Sequence, residues 1–264
     1  MPTDIHIDCQ DDIMVLTLDD PETRNAITKG IYEKAMSAII DAGSDPTIRA
    51  IILTGANGVF CSGGNVGNFP RRRTQPCSVS MASVNQLHDW IKAIRACPKP
   101  VISAVEKVAA GAGVSLALSC DLIISSREAR FVVAYVKIGL SPDGGATASL
   151  MRLLPRQMVT EMCLFGDPVE AETLHRHGVI NRLSEPGSAL EDAMAIANRL
   201  ADGPQNAIRR IKKLIEAAPD NSFGEQLDME AGFITESFRD EETRIGFDAF
   251  LNKQKPDFRK ANGG

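Results

Sequence analysis

Short, almost wholly apolar runs alternate along this chain with segments whose apolar residues recur at helical spacing. Residues 13–18 form the first such run and predict a strand. The turn-rich residues 19–25 then lead into a helix starting near Thr28, with Ile31, Ala35, Ala38 and Ile39 on one face. Residues 49–54 are apolar enough to be buried on both faces, and they open into a glycine-rich loop over 55–67. A helix is predicted over 78–96, stopped by Pro98 and Pro100. It is followed by a second buried strand over 101–105 and the small-residue segment 109–113. Strands over 121–125 and 131–133 come next, and a turn over 139–145 precedes a helix running to Leu154. Strands that alternate with helices make the class α/β.

From Ala189 onward the pattern is helical throughout, with apolar residues at helical spacing in 193–200, 208–215, 223–238 and 245–251. A boundary is expected near Ala201, dividing a core of residues 1–200 from a C-terminal helical region of residues 201–264. Phe233, Phe238, Phe247 and Phe250 give that region more apolar surface than a small appendage buries alone, which predicts packing against another subunit.

Composition narrows the function. Of the 264 residues, 44% are hydrophobic and 24% charged, as in an ordinary globular enzyme-sized chain. A net charge of −5 offers no general attraction for nucleic acid or an anionic membrane. The basic run Arg71, Arg72 and Arg73 is read as a solvated loop or a contact to phosphate groups, and it is the one feature favouring RNA. No apolar stretch approaches the roughly 18 residues that a bilayer-spanning helix needs. The N-terminal segment carries four Asp and no Lys or Arg before Arg24, which argues against a targeting signal and predicts a cytoplasmic protein. Six cysteines without a C-x-x-C pair and four histidines without a cluster predict reduced thiols and no metal site.

Three segments could carry chemistry. Phe60, Cys61, Ser62, Gly63, Gly64, Asn65 and Val66 follow a buried strand; small residues there bring backbone N–H groups close to a ligand, or simply make a tight loop. Ala109, Ala110, Gly111, Ala112 and Gly113 open an apolar helix containing Ser115. The unpaired N–H groups and positive dipole end there suit an anion, while small residues also suit close helix packing. One N–H from each segment aimed at the same oxygen would make an oxyanion hole, fitted to a thioester carbonyl that becomes an enolate. In the third segment, Leu140 to Gly145, Asp143 is either a general base beside a substrate or a cap of the following helix.

These segments, in this order and spacing, resemble the crotonase (enoyl-CoA hydratase/isomerase) superfamily over nearly the whole chain. The resemblance is carried by residues 21–26, 60–65, 99–121 and 137–145, and it is nearest to phenylacetate-pathway isomerases and alternative oxepin-CoA hydrolases. It implies a spiral of ββα units with a C-terminal helical trimerisation region. It also implies a homotrimer or a hexamer made of two trimers, and no cofactor beyond the coenzyme A of the substrate. Gly64 and Ala112 would then supply the oxyanion-hole N–H groups. Arg24, Ala26, Ser62, Gly63, Asn65, Val66, Gly111 and Leu140 would line the acyl-CoA site, and Phe250 and Lys253 would reach the coenzyme A of a neighbouring subunit.

One departure decides the expected mechanism. Hydratases of this superfamily hold and activate water with two glutamates, and the matching positions here are Ser115 and Tyr135. Asp143 stands where isomerases of the superfamily carry an acidic catalytic residue. A single carboxylate suffices for a 1,3-proton shift, because it can remove a proton at one end of an enolate and return it at the other. The alternatives are a hydratase or ring-opening hydrolase in which Asp143 activates water unaided, and a catalytically silent acyl-CoA-binding subunit.

Overall fold

The structure is a computed structural model that describes residues 4–262. The chain runs β1 (Asp4–Gln10), β2 (Ile13–Asp19), α1 (Lys29–Ser44), β3 (Ala50–Gly55), α2 (Phe69–Arg72), α3 (Cys77–Ala96), β4 (Val101–Val105), β5 (Val108–Ala110) and α4 (Ala112–Ser119). It continues through β6 (Leu122–Ser126), β7 (Arg130–Val132), α5 (Ala146–Leu153), α6 (Arg156–Phe165), β8 (Val169–Glu170), α7 (Ala171–Arg176), β9 (Arg182–Ser184) and α8 (Ala189–Ala201). Three more helices follow: α9 (Gln205–Ala217), α10 (Phe223–Ser237) and α11 (Glu241–Leu251).

Six strands form the main sheet in the order β1-β2-β3-β4-β6-β9, and β5-β7-β8 form a second one. Only the β1–β2 pair of the main sheet is antiparallel. Strand β4 hands on to β5 and β6 to β7 across a few residues, so each winding of the chain gives one strand to each sheet. This is the spiral of strand pairs and helices that the resemblance implies.

The apolar runs explain the layering. In β3, Ile51 and Leu53 join the larger core with Trp90, Val101 and Leu116, while Ala50 and Ile52 face the opposite way onto Ile102, Ala104 and α8. Alternate residues of a strand point to opposite faces, so a run apolar at every position is buried on both. Helix α8 lies close on the sheet because Ala189, Ala193 and Ala197 repeat every fourth residue and leave its contact face small.

Several elements were not foreseen. Strand β1 is one of them, although Ile5, Ile7 and Cys9 alternate with polar residues; of the seven only Ile5 is buried, as at a sheet edge. Arg71 and Arg72 lie in the single-turn helix α2 rather than in a loop.

Beyond α8, the helices are tied to the core by charge. Lys212 Nζ of α9 stands 2.6 Å from Asp121 Oδ2 and donates to the Lys99 carbonyl, while Arg95 of α3 pairs with Glu216. Glu242 of α11 is buried and accepts from the N–H groups of Asn206 and Ala207 at the start of α9.

Candidate active site

The first candidate loop leaves β3 and is sewn down on two sides. Ile27 N–H donates to the Gly63 carbonyl at 2.7 Å and Asn65 N–H to the Ile27 carbonyl at 3.3 Å. Cys61 N–H donates to Val108 and Ala110 N–H returns to Cys61, which bridges the loop to β5. The turn before α1 is fastened to the same loop. Asn25 Nδ2 donates to the carbonyls of Ala56 and Val59, and Ser62 Oγ donates to the Thr23 carbonyl at 2.7 Å. Arg24 and Asn25 hold left-handed backbone (φ 57° and 61°) to make that turn.

Glycine lets the first and second segments touch. A Cβ on Gly63 would lie 2.6 Å from the Ala110 carbonyl oxygen and 3.4 Å from Ala112 N, and a Cβ on Gly113 would lie 2.7 Å from the Cys61 carbonyl oxygen. The peptide of Gly64 therefore stands beside the first peptide of α4. Gly64 N–H and Ala112 N–H donate to no acceptor among the described residues. In a parallel bridge such as that of Gly64 with Ile27, it is the flanking residues whose groups bond the partner strand, which leaves the Gly64 N–H turned outward. Ala112 is the first residue of its helix, where N–H groups have no partner within the helix and the dipole is positive.

The third segment faces this pair. Asp143 Oδ1 accepts from the Tyr135 hydroxyl at 2.7 Å, the Asp143 carbonyl accepts from Ser115 Oγ at 2.9 Å, and the next N–H, of Gly144, donates to His88 Nε2 at 3.2 Å. Gly144 has φ 62°, and a Cβ there would meet Ser115 Cβ at 2.7 Å and Ile91 Cδ1 at 3.0 Å. Helix α5 has Gly145 at its N-cap and no side-chain cap, so the capping reading of Asp143 is replaced by its bond to Tyr135.

Burial, reinforced by the Asp143 carboxylate, pushes the Tyr135 hydroxyl far above its usual 10.0, so it stays a donor. Burial also pushes the Cys61 thiol up to about 12, which keeps it a packing group rather than a nucleophile.

The structure thus gathers Arg24, Ala26, Ser62, Gly63, Gly64, Gly111, Ala112, Ser115, Tyr135 and Asp143 around one place. Asn65 turns its Oδ1 back to the Gly67 N–H, and Val66 and Leu140 are exposed at the margin. Phe250 and Lys253 lie elsewhere. Phe250 lines a groove of about 440 Å³ with Pro204, Ala207, Phe247 and Phe258, and Lys253 follows in the turn after α11. His88, which touches the Asp143 turn, was missed, although it sits next to the Leu87, Ile91 and Ile94 stripe that faces inward from α3. Among the described residues no three His, Cys, Asp or Glu side chains stand close enough to hold a metal ion.

Residues 8–261 match the family model described as Enoyl-CoA hydratase/isomerase. The chain belongs to the enoyl-CoA hydratase/isomerase family. As a member it is an enzyme of acyl-CoA thioesters. It is 34% identical to 1,2-epoxyphenylacetyl-CoA isomerase of Escherichia coli K12, over 93% of this chain and 94% of the relative. It is 26% identical to 2,3-dehydroadipyl-CoA hydratase of the same organism, over 95% and 96% of the two chains. Among solved structures, the enoyl-CoA hydratase from Polaromonas sp. JS666 superposes with a TM-score of 0.94 at 39% identity, covering 96% of this chain and 98% of that one. The family thus holds both isomerases and hydratases among the relatives of this chain, and the choice between them rests on the side chains around Asp143.

Proposed function

We infer that this enzyme moves a double bond, or an equivalent proton, within an unsaturated acyl-CoA thioester. The observation that carries this is the Asp143 carboxylate held by the Tyr135 hydroxyl, and the family resemblance adds that Ser115 and Tyr135 stand where a two-glutamate hydratase would hold its water. Gly64 N–H and Ala112 N–H bind the thioester oxygen and stabilise the enolate formed when a proton leaves carbon. Asp143 Oδ2, which has no partner among the described residues, takes that proton from the α or γ carbon and returns it at the other end. No carbon–oxygen bond is made or broken, and the proton that Asp143 takes up is the one it returns. The 1,2-epoxyphenylacetyl-CoA isomerase relative supports isomerisation over hydration.

Residues 201–264 complete the reading as an oligomerisation region of a homotrimer or a dimer of trimers, supported by the exposed Phe247, Phe250 and Leu251. In that assembly Phe250 and Lys253 reach a neighbouring subunit's coenzyme A. No helix among the described residues is long and apolar enough to cross a membrane, and a cytoplasmic enzyme without a resident cofactor fits the chain.

Turnover of 2-enoyl-, 3-enoyl- and ring-modified phenylacetyl-CoA thioesters, beside the Asp143→Asn variant, tests this. Double-bond migration lost in the variant supports isomerisation. Incorporation of labelled solvent oxygen, surviving in the variant, overturns it in favour of hydration or hydrolysis.

A further inference from the structure

We propose that Cys61 is a positioning residue, whose sulfur sets the distance between the two oxyanion-hole donors. This role deepens the acyl-CoA reading above and rests on it.

Each donor is one end of a peptide whose other end is held. A trans peptide points its C=O and N–H in opposite directions, and no cis peptide bond occurs among the described residues. Ile27 N–H donates to the Gly63 carbonyl at 2.7 Å, so the Gly64 N–H of that peptide is turned away from Ile27. Val114 N–H donates to the Gly111 carbonyl at 3.0 Å, so the Ala112 N–H is turned away from the body of α4. These bonds fix direction within each segment. Neither one sets the distance between the segments.

Cys61 lies where the segments meet. Its N–H donates to the Val108 carbonyl at 3.1 Å and its carbonyl accepts from the Ala110 N–H at 2.9 Å, which ties its backbone to β5. On the first segment its Sγ accepts from the Gly63 N–H at 3.4 Å. On the second, a Cβ on Gly113 would stand 2.9 Å from Cys61 Cβ and 3.2 Å from Sγ, so the side chain packs against the first turn of α4. The same sulfur therefore bonds the peptide just before the Gly63–Gly64 one and bears on the residue just after Ala112.

Both halves of that contact matter. Gly63 has φ 95°, and glycine has little conformational preference of its own, so bonds to its peptides decide where the loop sits. Cys61 is fully buried, and close packing leaves its sulfur no second position. Sulfur is a large, weak acceptor. A serine hydroxyl keeps the acceptor in a smaller atom, and an alanine methyl keeps neither the acceptor nor the spacer. Donor alignment should fall in the order cysteine, serine, alanine.

Binding of an enolate reads that alignment without turnover. Acetoacetyl-CoA forms an enolate that absorbs in the near ultraviolet and carries its charge on oxygen, where the two N–H groups would bind it. Free coenzyme A has no thioester carbonyl and serves as the control. Both are titrated into the full-length protein, Cys61→Ala and Cys61→Ser, followed by calorimetry and by the enolate band. Free coenzyme A should bind all three proteins alike. Acetoacetyl-CoA should bind Cys61→Ala about threefold to tenfold more weakly than the unaltered protein, the loss expected for one hydrogen bond, with a smaller enolate band at saturation. Cys61→Ser should fall between them. A lower melting temperature with unchanged acetoacetyl-CoA binding and an unchanged band would confine Cys61 to packing and overturn the proposal, as would equal weakening of both ligands. If Cys61→Ala does not fold, Cys61→Ser decides by the same readouts. Unaltered protein that binds acetoacetyl-CoA no better than coenzyme A would overturn the paired-donor reading itself, and this role with it.

Discussion

The Tyr135 hydroxyl and Asp143 Oδ1 are 2.7 Å apart, so the one carboxylate of the site has one oxygen committed and the other free to face substrate. The bond also holds the carboxylate in a single orientation. Tyr135→Phe removes it without emptying the space. Turnover should fall about tenfold to a hundredfold, the range for loss of a hydrogen bond to a charged group, with KM little changed. Steady-state kinetics on the preferred thioester checks this, and an unchanged kcat would remove Tyr135 from the mechanism.

Gly63 is the closest approach between the two backbone segments. Gly63→Ala puts a Cβ 2.6 Å from the Ala110 carbonyl oxygen at a φ of 95°. Gly178 also has positive φ, at 78°, but nothing lies within 4 Å of its added Cβ, so Gly178→Ala isolates the strain alone. The expected cost is about 1 kcal/mol at Gly178 and several-fold more at Gly63. Turnover should be lost by about a hundredfold or more only at Gly63, because the oxyanion donors move. Urea melts and rates on both variants make the comparison.

His88 holds the Asp143 turn from α3 by accepting the Gly144 N–H. His88→Ala leaves that buried N–H without an acceptor, at an expected cost of about 1–3 kcal/mol, and lowers kcat as the turn loosens. His88→Gln offers an amide oxygen near the same place and should restore part of both. A full rescue of stability with no rescue of kcat would confine His88 to folding.

Buried thiols set an alkaline limit on stability. Cys61 is raised from its usual 9.0 to about 12 by burial, and Cys120 is raised as well, again chiefly by burial. In the unfolded chain these thiols ionise first, so the native state holds more protons above pH 9 and stability falls as pH rises from there toward 12. Denaturant midpoints at pH 7 and pH 10 should show the drop, and Cys61→Ala should flatten it.

Much of this architecture could be read from the chain because its physics is local. Residues 50–53 are wholly apolar and 101–105 are broken only by Ser103, and strands buried on both faces call for such runs. The loops could be found because glycine at 63, 113 and 144 marks backbone that side chains would obstruct. What escaped depends on distant partners. Strand β1 is short, mostly exposed and held by its pairing with β2, and His88 becomes part of the site only when α3 lies beside a turn 56 residues later. Taken alone, Asp143 reads more readily as a helix cap than as a base, and the choice needed the position of Tyr135.

The paired donors at Gly64 and Ala112 belong to the main chain, and every residue but proline carries that N–H. A codon change at 112 alters a methyl group and keeps the donor, whereas a single change at 143 removes the base. Inheritance therefore treats the two halves of the site unequally. The donor atoms themselves survive most substitutions at 64 and 112, and the glycines at 63 and 113 guard their position, while the chemistry applied to the gripped substrate turns on one side chain.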